Sequence, residues 1–353
     1  MVKIRRLAVV LGRTMLVLGG GASVVSCGPP PATEGCVIPA TGLPDDVYCT
    51  GLYANRVSAD LAAGVQAYTP GAVLWSDGAE KHRYLLLPEG EPIDTSDLDS
   101  WQFPVGTKAW KDFKVDGKLV ETRLEWKRTA TEWASGTYVW NAAGTAATLN
   151  TETKGIILPS GYEIPTVKSC DKCHHGASDH LLGVEALLLG LPNAEGATLA
   201  SLAANGHLSH PPAHTTVTLP EDSTGKAAAA LGYLDVNCGI ACHSTRGLGE
   251  ETKLVLRLRA SDFWPDGASG AVEKVSVDKT EMWASMINQM PTTMSVAQHF
   301  PGALRLTPGA HDHSLVWLVS HLRGNYQMPP LVSHAIDEDG TAKLAAWIDA
   351  LPH

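Results

Sequence analysis

Cys170-Asp-Lys-Cys173-His174 sets two thiols three positions apart with a histidine directly after the second. Thiols at that spacing suit thioether bonds to the two vinyl groups of one haem, and the adjacent imidazole then reaches the iron: the pattern of c-type haem attachment. A looser copy follows, Cys238-Gly-Ile-Ala-Cys242-His243, whose three-residue spacer must bulge to keep both sulfurs near the vinyls. Cys170, Cys173, Cys238 and Cys242 are therefore candidate haem tethers, and His174 and His243 candidate proximal ligands. A C-x-x-C pair also suits zinc, which needs four ligands in tetrahedral reach, with His174, His175 or the other two cysteines completing the set. A redox disulfide is the third reading, but it belongs at a helix start in a βαβ unit, which this sequence does not display. The histidine after the second cysteine favours haem.

Distal ligands are less legible. Gln327-Met328-Pro329-Pro330 lies in an expected loop between two helices, where Met328 could take the distal position of the second haem. Methionine–histidine ligation raises the reduction potential; the alternative for Met328 is a core gap-filler. The first haem has no methionine between Met15 and Met282, so its candidates are His180, His207, His210 and His214. His207 and His210 come first, because they follow a helical pattern and precede Pro211-Pro212. The alternatives are an open iron, able to meet peroxide or a small ligand, or a methionine from Met282, Met286, Met290 or Met294. His311-Asp312-His313 reads as a capped helix start. No Ser/His/Asp set, phosphate-cradling glycine loop or paired-carboxylate site stands out.

These motifs need elements to hold them. Residues 1–26 read as a signal peptide: Lys3, Arg5, Arg6 and Arg13, then a short glycine-rich apolar run, too short for the roughly 20 residues of a spanning helix. Residues 27–50, with Pro29-Pro30-Pro31, read as a tether. Residues 51–165 read as a mostly-β domain. Its clearest element is a hairpin, Lys111–Val115 and Lys118–Arg128 around Asp116-Gly117. Val120, Thr122, Leu124 and Trp126 alternate with Glu121, Arg123 and Glu125, the period of a half-buried strand. Further strands are expected at 82–87, 137–140 and 155–158. Tryptophans 75, 101, 110, 126, 133 and 140 read as core, with a carbohydrate platform as the alternative.

Residues 166–235 and 236–353 read as two α-helical cytochrome c-like modules, the second with a β-hairpin insert (Leu254–Leu258 with Ala271–Val277). Helices are expected at 194–205, 226–236, around 315–322 and around 344–351. The expected fold class is thus α+β multidomain: a mostly-β domain followed by two helical haem modules.

The chain has 353 residues, 44% apolar and 18% charged, which suits folded domains rather than disorder. Residues 1–26 carry four cations and no acid, so their removal takes the formal charge from −10 to −14. That balance argues against nucleic acid, which needs clustered basic residues, and suits a redox partner with a basic docking face. Of seven cysteines, the haem motifs use four and Cys27 is set aside as the residue that follows the expected signal peptide. Cys36 and Cys49 remain as an even pair in an oxidising compartment, where a disulfide is expected.

Val24-Val25-Ser26-Cys27 resembles the lipobox of bacterial lipoproteins, which implies lipidation of Cys27 and membrane attachment through the lipid. Gly28, by the same resemblance, favours the outer membrane, with a periplasmic location as the other outcome. From about residue 68 onward the chain resembles a family of uncharacterised exported bacterial proteins. The likeness rests on Leu74-Trp75-Ser76-Asp77-Gly78-Ala79, Trp101-Gln-Phe-Pro104, Glu121-Thr122-Arg123, the Cys170 motif and Tyr233-Leu-Asp-Val-Asn237-Cys238. Met328-Pro-Pro and Ala346-Trp347-Ile348 resemble the close of many cytochrome c domains. The resemblance implies an N-terminal β domain followed by c-type haem modules and names no substrate. It gives Trp75–Ala79 no role beyond a turn.

The expectation is an exported, lipid-anchored dihaem protein carrying electrons, with two covalent haems c. Its rivals are a dihaem peroxidase or oxidase component with an open first haem, and a zinc-stabilised surface lipoprotein. The β domain is expected to dock a partner or shield a haem edge.

Overall fold

Alternating apolar and charged runs between glycine turns build the larger part of the molecule. The structure is a computed structural model that describes residues 29–263 and 275–353. The expected signal peptide and Cys27 lie outside the described residues.

Among the described residues nine strands form: β1 (Gln66–Thr69), β2 (Glu80–Leu86), β3 (Lys108–Val115), β4 (Lys118–Lys127), β5 (Trp133–Trp140), β6 (Ala147–Leu149), β7 (Ile156–Ile157), β8 (Glu163–Ile164) and β9 (Glu195–Gly196). Seven make one antiparallel sheet in the order β6-β5-β4-β3-β2-β1-β9, and β7 pairs with β8. The β3–β4 turn sits on Asp116 and Gly117, both with positive φ (51° and 73°), the geometry that an Asp-Gly hairpin turn requires.

One sheet face carries Trp110, Leu124 and Tyr138 into an apolar core. Ala32, Leu43, Val47 and Tyr48 complete that core. The segment expected as a tether is thus packed against the sheet from Ala32 onward, and a Cys36–Cys49 disulfide closes it, with Cα atoms 5.5 Å apart.

The described residues hold eight α-helices: α1 (Val167–His174), α2 (Ala186–Gly190), α3 (Leu199–Ala204), α4 (Ala227–Leu234), α5 (Glu281–Met286), α6 (Met294–His299), α7 (Leu315–Leu318) and α8 (Glu338–Ala350). Only α8 is longer than eight residues. This overturns the expected fold class. The structure is mainly a seven-stranded antiparallel sheet with short helices, not a β domain followed by two helical cytochrome c modules.

The physical reason lies in the core. Tyr68, Leu85 and Ala109 of the sheet share one apolar cluster with Leu188, Leu231 and Trp347 of the helical half. The helices are therefore short plugs against the sheet and against one another. Residues 254–258, expected as a strand, form no strand, and residues 271–274 of its expected partner, Ala271–Val277, lie outside the described residues. Pattern at 194–205 becomes a strand, β9, and the shorter α3, capped by Thr198.

Candidate functional site

The first motif occupies α1. Thr166 caps it, its hydroxyl accepting from Ser169 N–H, so Cys170, Cys173 and His174 fall on the two turns that follow. His174 Nδ1 lies 2.8 Å from the His180 carbonyl. A carbonyl only accepts, so Nδ1 carries the proton and Nε2 keeps its lone pair for a metal. Burial holds the His174 pKa below its ordinary value, which also keeps the ring neutral. The carbonyl is placed by its neighbour Asp179, whose carboxylate accepts from Lys127 (2.5 Å), Trp133 Nε1 (3.0 Å) and Phe103 N–H (2.6 Å). His180 itself has φ 63° and lies 2.9 Å from Glu125 Oε2.

The second motif sits where α4 runs into a π-turn, Asp235–Gly239. Ile240 N–H donates to Asp235 O and His243 N–H to Cys238 O, both at 2.8 Å and both five residues back. The wider turn takes up the additional spacer residue, as π-bulges do at functional sites. His243 Nδ1 is 3.3 Å from Thr252 Oγ1, whose hydroxyl donates to Gly249 O at 2.6 Å. The threonine oxygen therefore accepts from Nδ1, and the Leu254 backbone also bonds the ring. Gly249 is glycine because a Cβ there would stand 2.7 Å from His243 Nδ1. Burial lowers the His243 pKa too.

Each motif opens into its own cavity. Cys238, Cys242, His243 and Met328 line one of about 150 Å³ with mostly apolar walls, among them Leu254, Leu256 and Val316. Cys170, Cys173 and His174 line another of about 150 Å³, with Leu182, Leu188 and Ile240 in its walls. Pockets for drug-sized ligands run to about 300–1,000 Å³, so a planar organic cofactor would have to widen both. Cys242 borders both cavities. The Cys173 and Cys242 thiols share a hydrogen bond, which pulls the Cys173 pKa down and pushes that of Cys242 up. Burial raises the other two thiols, Cys170 to about 11 and Cys238 to about 12. The motifs meet because residue 176 lacks a side chain: a Cβ there would lie 2.2 Å from Ala241 O.

Sheet residues complete the first cavity. The face of β2, β3 and β4 that looked polar in sequence is turned inward. Arg83, Lys111 and Arg123 line the cavity, while Glu121 is 0% and Glu125 7% exposed. Glu121 is held by Arg123 and by the Tyr162 hydroxyl, each at 2.6 Å. The Trp75 loop braces the second motif. Asn237 Oδ1 accepts from Trp75 N–H at 2.7 Å, and Asp77 accepts from the backbone of His334 and Ala335 beyond the Met328 loop. Its role therefore exceeds that of a turn.

His207 and His210 are not brought to either motif. His207 O accepts from Ile93 N–H, His210 O from the Thr95 hydroxyl, and neither histidine lines either cavity. His180 lies beside His174, with ring centroids 5.0 Å apart and ring planes tilted by 36°. Met282 and Met286 are buried in the core, and Met290 and Met294 are exposed. Within the first cavity, His174 is the only histidine and no methionine is present. Among the described residues, the one cluster of three metal-ligating side chains is Glu125, His174 and His180, their donor atoms within 4.8 Å of one another. The four motif cysteines form no such cluster.

No protein-family model, no curated protein and no solved structure matches this chain.

Proposed function

We propose that the protein is an exported dihaem c-type electron carrier, with haems attached through Cys170/Cys173 and Cys238/Cys242 and ligated proximally by His174 and His243. The observation that carries this reading is the pairing of motif with cavity. Each set of two cysteines and one neutral histidine lines its own mostly apolar cavity, and Cys242 borders both. Met328 faces the second cavity and is the proposed distal ligand there. Haem supplies reversible one-electron chemistry when bound. The chain holds the His174 imidazole in the metal-binding tautomer, surrounds the cofactors with apolar side chains and brings the two attachment sites into contact. The buried sheet face supports a shielding role for the β half. The likeness to exported haem proteins, the lipid at Cys27, the outer-membrane or periplasmic location and the basic partner belong to the same proposal.

The test is haem stoichiometry in a host that matures c-type cytochromes. Pyridine haemochrome should give two haems per wild-type chain and one in each of Cys170→Ala/Cys173→Ala and Cys238→Ala/Cys242→Ala. A wild-type chain with no haem overturns the reading.

A second reading is a dihaem peroxidase or oxidase component, favoured by the first cavity's single histidine. Carbon monoxide binding to one reduced haem, with peroxide turnover, would select it. A zinc-thiolate lipoprotein is not favoured, because Cys173 and Cys242 touch but no third motif cysteine or histidine joins them within metal-ligand reach.

A further inference from the structure

Arg83, Lys111 and Arg123 stand side by side across three strands. Arg83 is directly opposite Lys111, and Lys111 directly opposite Arg123. Like charges facing each other across a sheet are destabilising, and burial in a low-dielectric wall makes this worse. Arg83 is 6% exposed, and all three residues line the first cavity with Cys170 and His174.

Charge accounting shows what is missing. Arg123 is neutralised by Glu121 at 2.6 Å. Arg83 and Lys111 have no ion pair or side-chain hydrogen bond with any described residue, although the Glu125 carboxylate acts on Lys111 while burial, Arg83 and Arg123 pull its pKa down to about 7. Two basic groups are thus left without a bonded anion in the wall of a cavity that holds Cys170 and Cys173, and a carboxylate arriving there would hold Lys111 in its charged form. Haem carries two propionate groups, which are carboxylates of the matching number and sign. Guanidinium takes a carboxylate through two parallel hydrogen bonds, and ammonium takes one as a point charge.

We propose that the Arg83–Lys111–Arg123 row is a carboxylate cradle, and that it holds the propionates of the haem attached at Cys170 and Cys173. This rests on the dihaem reading above. Arg83, Lys111 and Arg123 would hold the propionates from the sheet, while Cys170 and Cys173 on α1 would hold the haem through its thioethers. A positive wall also disfavours the extra positive charge of the ferric state, so it raises the potential of this haem.

The experiment compares wild type with Arg83→Gln, Lys111→Met and Lys111→Arg, each matured with haem. Haem count is read first, then the two midpoint potentials by spectroelectrochemistry. Arg83→Gln and Lys111→Met should keep two haems and lower one midpoint, leaving the other in place. Lys111→Arg, which keeps the charge, should restore the wild-type value. Two attached haems with both midpoints unmoved in Arg83→Gln and Lys111→Met overturn the cradle while leaving the dihaem reading intact. No haem on wild type overturns the dihaem reading itself. Succinate is then titrated into the wild-type holoprotein. A saturable shift in one midpoint that Arg83→Gln abolishes would mean the cradle is open to a soluble dicarboxylate, and would overturn the propionate assignment.

Discussion

Single residues here are held by groups that are distant in sequence. His243 depends on Gly249 and Thr252, so Gly249→Ala should displace the ring. We expect a loss of roughly 1–3 kcal/mol, the usual cost of overpacking, measured by urea denaturation. Met328→Ala should leave haem attached but lower the second haem's potential and open that iron to carbon monoxide, seen as a shifted reduced spectrum. Lys81 gives a pH signature. Burial, then Arg83, Lys111 and Arg123, hold its pKa at about 6, and its ammonium donates to Leu74 O and Ser76 Oγ. Unfolded Lys81 titrates at about 10.4, so between the two values the unfolded chain binds the extra proton. Stability therefore rises with pH from about 6 to 10, by on the order of 1 kcal/mol per unit at most. Lys81→Met should flatten that rise in thermal melts across this range. The two haem-motif histidines and the four cysteines were legible as a set because their spacing is chemically specific. The absence of His207 and His210 from the site was not, since helix-end cues say nothing about which cavity a loop reaches.

At the level of elements, short segments are packed into position by close backbone approaches. The end of α1 touches the second motif at Gly176, and the turn after α4 widens to seat Cys238 and Cys242. Gly176→Ala places a Cβ 2.2 Å from Ala241 O, so the motifs must separate. We expect a lower Tm with two haems still attached, and slower equilibration between the haems in flash reduction; unchanged values for both would show that the contact is dispensable. The β3–β4 hairpin was readable because Asp-Gly and a strict period of two are local signals. The role of its charged face was not, because alternation shows which residues share a face and not what covers it. Glu121, Arg123 and Glu125 read as the polar face of a half-buried strand; Glu121 and Glu125 are in fact buried, and Arg123 lines the first cavity. Buried charges in mutual contact are a mark of function more often than of fold stability. The helical half misled for a related reason: apolar spacing at 194–205 and 315–322 is satisfied by four to six helical residues against a shared core.

Across the whole molecule, one core joins the sheet to the helices, and the haem motifs lie at that seam. The Cys36–Cys49 bridge closes the N-terminal segment on itself across a sequence separation of 13, and that segment packs on the opposite sheet face. Replacing both cysteines with serine should lower stability by roughly 2–4 kcal/mol, measured by denaturant unfolding, without altering haem content. The acidic balance of the chain should make electron exchange with a basic partner slow as salt rises. The most direct measurement is the intact mass of denatured, purified protein from a c-type maturation host, read beside its visible spectrum. The account predicts a mass larger than that of the polypeptide by two haems. The bare polypeptide mass, with no visible absorption, would contradict it.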